Sequence, residues 1–169
     1  MSPTAAATAR AALVRLLQMA HAGELAAAYA YRGHWRSLED PAERTEVRRI
    51  ETAEWHHRHV VAGLLADLGA RPARRRELLM WTIGRTFGPL CHVSGWFLPM
   101  YFAGRLEAMN VGQYATAAEH ATAAGLGHLV PVLAEMTAEE ARHEAWFGDR
   151  VRGHRLLPVA RLLGRWRPA

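Results

Sequence analysis

Glu54-x-x-His57 and Glu140-x-x-His143 each set a carboxylate and an imidazole three residues apart. In a helix that spacing puts both side chains on one face. Carboxylate oxygen and imidazole nitrogen are ligands for divalent iron, manganese or zinc. A Glu-x-x-His on a wet helix face needs no metal to explain it. On a face that looks into a core, both groups need a partner, because burying them unpaired is costly. The chemistry therefore turns on what these helix faces look at.

The surrounding apolar residues recur at steps of three and four, the period of an amphipathic helix. The first stripe is Leu13, Leu17, Ala20, Glu24, Ala27, Tyr31 and His34. The second is Val47, Ile50, Glu54, His57, Val61, Leu64 and Leu68. The third is Trp96, Met100, Ala103, Glu107, Asn110, Tyr114, Ala117 and Ala121. The fourth is Leu129, Leu133, Met136, Glu140, His143, Phe147 and Val151. Asp40 and Pro41 read as a helix cap and first helical position, and Gly69 as a helix end. Pro99 predicts a kink or a later start for the third helix, and Pro131 marks the first turn of the fourth. Gly84, Gly88, Pro89 and Gly95 break the stretch between the second and third helices. The expected fold is all-α, a ferritin-like four-helix bundle with additional short helices between helices 2 and 3 and at the C-terminus. One domain spans 1–169, with residues 1–8 flexible and 156–169 forming a short amphipathic helix.

Each stripe carries a carboxylate at its middle, so the set is Glu24, Glu54, His57, Glu107, Glu140 and His143. A Glu from each of two helices and Glu-x-x-His from each of the other two is the ligand pattern of di-iron carboxylate bundles. The halves repeat. Tyr31 follows Glu24 as Tyr114 follows Glu107, by seven residues, and Glu24–Glu54 and Glu107–Glu140 are 30 and 33 apart. Glu119 and Glu135 are rival ligands, with Glu119 off the stripe. Glu51, Glu139 and Glu144 read as surface acids, and His56 and His59 as surface groups or neighbours of the site. His21, one turn before Glu24, either hydrogen-bonds a ligand carboxylate or sits at the bundle edge. Tyr31 and Tyr114 read as core aromatics beside the site.

The net charge is +5 and the sequence pI about 10.3, with 21 arginine and lysine residues that are all arginine. No nucleic-acid motif accompanies this charge, which leaves anionic lipid or no partner at all. Cys91 is alone, so no internal disulfide forms. The first 23 residues hold no acid and imitate a targeting peptide, but they run straight into a patterned helix. The most apolar run, LCHVSGWFLPMYFAG (90–104), is too short to span a bilayer.

HAGELAAAYAYRGH (21–34), EWHH (54–57), ARP (70–72), LEAMNVGQY (106–114) and EEARH (139–143) resemble the demethoxyubiquinone monooxygenase family. The likeness runs from about residue 13 to 151. It implies a di-iron enzyme with Glu24 and Glu107 as terminal ligands, Glu54 and Glu140 as bridges, and His57 and His143 on one iron each. It also implies a greasy quinone substrate drawn from a membrane, NADH as reductant, and a peripheral site on the cytoplasmic face of the bacterial inner membrane, or in the cytoplasm. A homo-oligomer and a lipid-binding partner protein fit the same picture. The chain departs from the family at Ala20, where Asp is usual, and at Gln113, where His is usual. It also ends in the short, arginine-studded LLPVARLLGRWRPA (156–169).

Two segments are expected to meet substrate or lipid. One is 78–104. The other is the terminal stretch, where Leu156, Leu157, Leu162, Leu163 and Trp166 lie among Arg155, Arg161, Arg165 and Arg167. Bundle packing or an oligomer interface is the plain alternative for both. Three functions use the same pattern. A monooxygenase needs apolar surface beside the metals, and an iron oxidase or peroxidase needs the ligands without an organic pocket. A structural polar network needs no metal.

Overall fold

The computed structural model describes residues 2–164 and 166–167. The described residues form six α-helices and one 3₁₀ turn, with no strand among them. Helix α1 (Pro3–Ser37) begins where Ser2 Oγ accepts from the Ala5 N–H at 3.3 Å. Residues 3–8, expected to be flexible, form the first turns of this helix with mostly exposed side chains. Helix α2 (Pro41–Asp67) starts as its sequence predicts, with Asp40 accepting from the Glu43 N–H at 2.8 Å. It closes at Gly69, whose φ of 65° lets its N–H reach Ala66 O while Ala70 N–H reaches Leu65 O, both at 2.8 Å.

Helix α3 (Arg74–Leu90) corrects the expectation of short, broken pieces, because residues 74–90 are one helix of 17 residues. Gly84 and Gly88 do not break it; they let it lie against α1. A Cβ on Gly84 would stand 2.5 Å from Ala26 O, and one on Gly33 would stand 2.2 Å from Gly88 O. The backbones therefore touch where no side chain intervenes.

Helix α4 (Phe97–Ala123) needs no kink at Pro99. The proline is the third residue of the helix, where the N–H it lacks would have no intrahelical partner. Gly125, at φ 73°, closes α4 as Gly69 closes α2. A 3₁₀ turn (Gly127–Leu129) leads to α5 (Val130–Val151), with Pro131 in its first turn as predicted. Helix α6 (Leu157–Gly164) is the short C-terminal helix.

α1 pairs with α2 and α4 with α5 as two hairpins, which meet mainly through α1 and α4. The stripes are buried as read, except that Trp96 is 36% exposed. They make two apolar cores. One gathers Ala27, Tyr31, Ile50, Met100, Phe147 and Val151; the other gathers Leu13, Leu17, Val61, Tyr114, Leu133 and Met136. On every stripe the acids fall between the two cores, together with His57, Asn110 and His143, so they form one layer across the middle of the bundle; His34 lies beyond it, against Tyr31 and Phe147.

The end of the chain does not present a wholly outward apolar face. Leu157 and Trp166 are buried against α4 and its neighbours, and Gly104 gives Trp166 its space. Leu156, Val159 and Leu162 remain exposed. Arg165 and the side chain of Leu163 lie outside the described residues.

Candidate metal centre

The middle layer brings together all six sequence-predicted residues. Two ligand quartets form, Glu24, Glu54, His57 and Glu140 in one, and Glu54, Glu107, Glu140 and His143 in the other. Within each quartet one ligand atom per residue lies within 4.8 Å of all the others. Glu54 and Glu140 belong to both. None of the six is more than 2% exposed.

A layer of this kind is unstable with nothing to bind. Both oxygens of Glu54 and of Glu140, one oxygen each of Glu24 and Glu107, and both nitrogens of His143 are buried without a hydrogen-bond partner. His57 Nδ1 lies 3.0 Å from Glu140 Oε1, though not in hydrogen-bonding alignment. His143 Nδ1 is 3.7 Å from Glu140 and 3.9 Å from Glu54. Buried polar atoms in native folds are nearly always satisfied. So many orphans converging on one layer fit cations, and oxygen with nitrogen donors suits iron or manganese.

Burial pushes the carboxyls of Glu24, Glu54 and Glu107 up, and neighbouring carboxylates push Glu54 and Glu107 further. Glu140 moves the other way. Burial opposes its charge, but the neighbouring Glu107, His143 and His57 together hold it below the usual carboxylate range. Burial also works against protonated His57, yet Glu140 outweighs it and raises the imidazole to about 9.

Tyr31 donates its hydroxyl to Glu107 Oε1, and Tyr114 donates to Glu24 Oε1. Each tyrosine thus crosses to the carboxylate of the opposite half, as the repeat in the sequence requires. Burial holds both phenols well above their usual range, so they act as donors.

His21 is buried, but it contacts no ligand carboxylate. Its Nδ1 lies 2.7 Å from Glu77 Oε1 on α3, and Arg58 bonds both Glu77 Oε2 at 2.6 Å and His21 O at 2.6 Å. This clip ties α3 to both helices of the first hairpin. Three acids read as surface groups are not. Glu51 is buried and accepts from Arg32, Trp35 and Trp55. Glu139 accepts from His57 Nε2 at 3.1 Å, and Glu144 accepts from Trp166 Nε1 at 2.9 Å. These acids lie off the stripes, and all their partners but Trp55 come from outside their own helix, so periodicity carries no sign of them. The rivals Glu119 and Glu135 are exposed, as are His56 and His59.

Residues 11–109 match the family described as Ubiquinone biosynthesis protein COQ7. The chain belongs to this family. The family is the one its motifs resemble, and its role lies in ubiquinone biosynthesis. The match takes in Glu24, Glu54, His57 and Glu107. Glu140 and His143 fall beyond it and join the set through geometry. No curated protein and no solved structure matches the chain.

Proposed function

We propose that the protein is a di-iron, dioxygen-dependent monooxygenase that hydroxylates a demethoxyubiquinone-type quinone. The observation that carries this reading is the pair of buried quartets sharing Glu54 and Glu140. Shared carboxylates suit bridges, Glu24 and Glu107 suit terminal ligands, and His57 and His143 supply one nitrogen to each ion. Two irons held there supply dioxygen activation and the two-electron chemistry that amino acids lack. In the balanced reaction one oxygen atom replaces a ring hydrogen, and the other leaves as water. Two protons and two electrons are consumed, with NADH the expected reductant.

The chain's own residues do the rest. Tyr31 and Tyr114 each occupy one oxygen of Glu107 and Glu24, which leaves the second oxygen free for metal. The two apolar cores close the layer at both ends and keep bulk water out. The isoprenoid tail needs apolar surface. A shallow cleft between α1 and α3, lined by Leu25, Pro72, Leu78 and Trp81 with Glu77 and Arg74, offers it. Leu78, Leu79, Trp81, Phe87 and Leu90 are exposed along α3. No described helix is long and apolar enough to cross a membrane, so the reading has α3 lying on the bilayer surface, on the cytoplasmic side.

The test is metal analysis of the purified protein, then anaerobic reduction and exposure to isotopically labelled dioxygen with a short-tail demethoxyquinone. Product carrying one labelled oxygen is the expected result. Oxygen uptake with no organic product overturns hydroxylation in favour of an iron oxidase.

A further inference from the structure

The two histidines of the centre are counterparts in the internal repeat, yet their outer nitrogens meet different surroundings. Both rings turn Nδ1 inward, His57 toward Glu140 at 3.0 Å and His143 toward Glu140 at 3.7 Å. His57 Nε2 meets Glu139 Oε2 at 3.1 Å, across from one hairpin to the other. His143 Nε2 is buried and has no hydrogen-bond partner. The sequence supplies the reason. Glu139 directly precedes Glu140, while the counterpart residue directly preceding Glu54 is Ala53. One position carries a carboxylate and the other a methyl group.

A carboxylate behind an imidazole fixes which nitrogen holds the proton, locks the ring's orientation and strengthens the inner nitrogen as a ligand. Glu139 is suited to that task because its side chain keeps 26% exposure.

We propose that Glu139 is a positioning residue that makes the two metal positions unequal: the position at His57 binds its ion more tightly than the position at His143 and fills first. This rests on reading the middle layer as a dinuclear metal centre.

The experiment titrates the metal-free full chain with cobalt(II) in the absence of oxygen. Calorimetry counts the ions and separates the steps, and visible absorption reports each site as it fills. Wild type takes up two ions in two steps separated by roughly 10- to 100-fold in affinity, the usual effect of such a partner. Glu139→Ala weakens the first step by a similar factor and brings the two together. Glu139→Gln, whose amide oxygen still accepts the imidazole N–H but carries no charge, recovers only part of the loss, where a purely steric role for Glu139 predicts full recovery. Ala53→Glu restores a carboxylate behind His143 and tightens the second step. Matching thermal unfolding of the metal-free Glu139 variants and wild type excludes misfolding as the cause. Two equal steps in wild type, or an unchanged first step in Glu139→Ala, overturns the inequality and leaves the metal centre standing. A wild-type chain that binds no ion overturns both.

Discussion

Glu54 and Glu140 each serve two quartets, whereas Glu24 and Glu107 each serve one. Glu54→Ala or Glu140→Ala should therefore abolish retention of both ions, and Glu24→Ala or Glu107→Ala should leave about one, as read by metal content after dialysis. His34 gives a second prediction, away from the ligands. Its ring stacks on Tyr31 and Phe147, and burial lowers its pKa from 6.5 to about 4. The unfolded chain takes up a proton below 6.5 that the folded chain refuses until about 4. The stability contributed by neutral His34 is thus full above that window and is lost as pH falls through it, by about 3 kcal/mol. His34→Phe keeps the stacking and has no proton to gain, so its melting temperature should fall less steeply than wild type across the same acid range. At this scale the six ligands were legible because each sits on a stripe of apolar residues. Glu139 was not, because a stripe shows which face a residue occupies and not which group on another helix faces it.

Helix α3 depends on three glycines where it meets α1, Gly33, Gly84 and Gly88. Gly84→Ala puts a methyl into the backbone of Ala26, which α1 cannot move without disturbing Glu24 two residues earlier. The overpacking should destabilise the fold by about 1–3 kcal/mol. Urea unfolding should detect this, and cleavage within 74–90 by a dilute protease should quicken, because the helix on the outside is the piece free to leave. Read from sequence, Gly84 and Gly88 suggest interruption. Propensity counts a glycine as a weak point, and only the neighbouring backbone shows that it is a contact. The helix ends were readable for the opposite reason. Asp40, Gly69 and Pro131 act on their own chain within a few residues, with no distant partner to be known. Pro99 misled because the start of α4 lies just before it.

Taken whole, the protein carries a net charge of +5 and an exposed apolar surface along α3 and the residues that follow, including Leu78, Leu79, Phe87, Val93 and Phe102. Single exposed apolar residues are common, but a run of this kind suits the lipid contact proposed above. Cosedimentation with anionic vesicles should exceed that with neutral ones and weaken with salt. Leu78→Glu with Leu79→Glu should reduce it several-fold while metal content stays at wild type. Unchanged vesicle binding in that variant would remove α3 from the membrane contact. The composition announced the apolar and basic character; which residues face outward depended on how α3 and α6 dock. Trp166 shows the difference, since an arginine-flanked tryptophan that reads as a lipid anchor is packed beneath Gly104.

The quartets also bear on how the protein comes to exist. Each one borrows a carboxylate from the other hairpin, Glu140 for the first and Glu54 for the second. A ribosome that has released only α1 and α2 has delivered neither set in full. On the proposed reading, loading of both ions waits for the last long helix to arrive, and a half-made chain has no complete centre to offer dioxygen. On that reading the order of synthesis itself keeps the oxidising chemistry shut away until there is a closed interior to contain it.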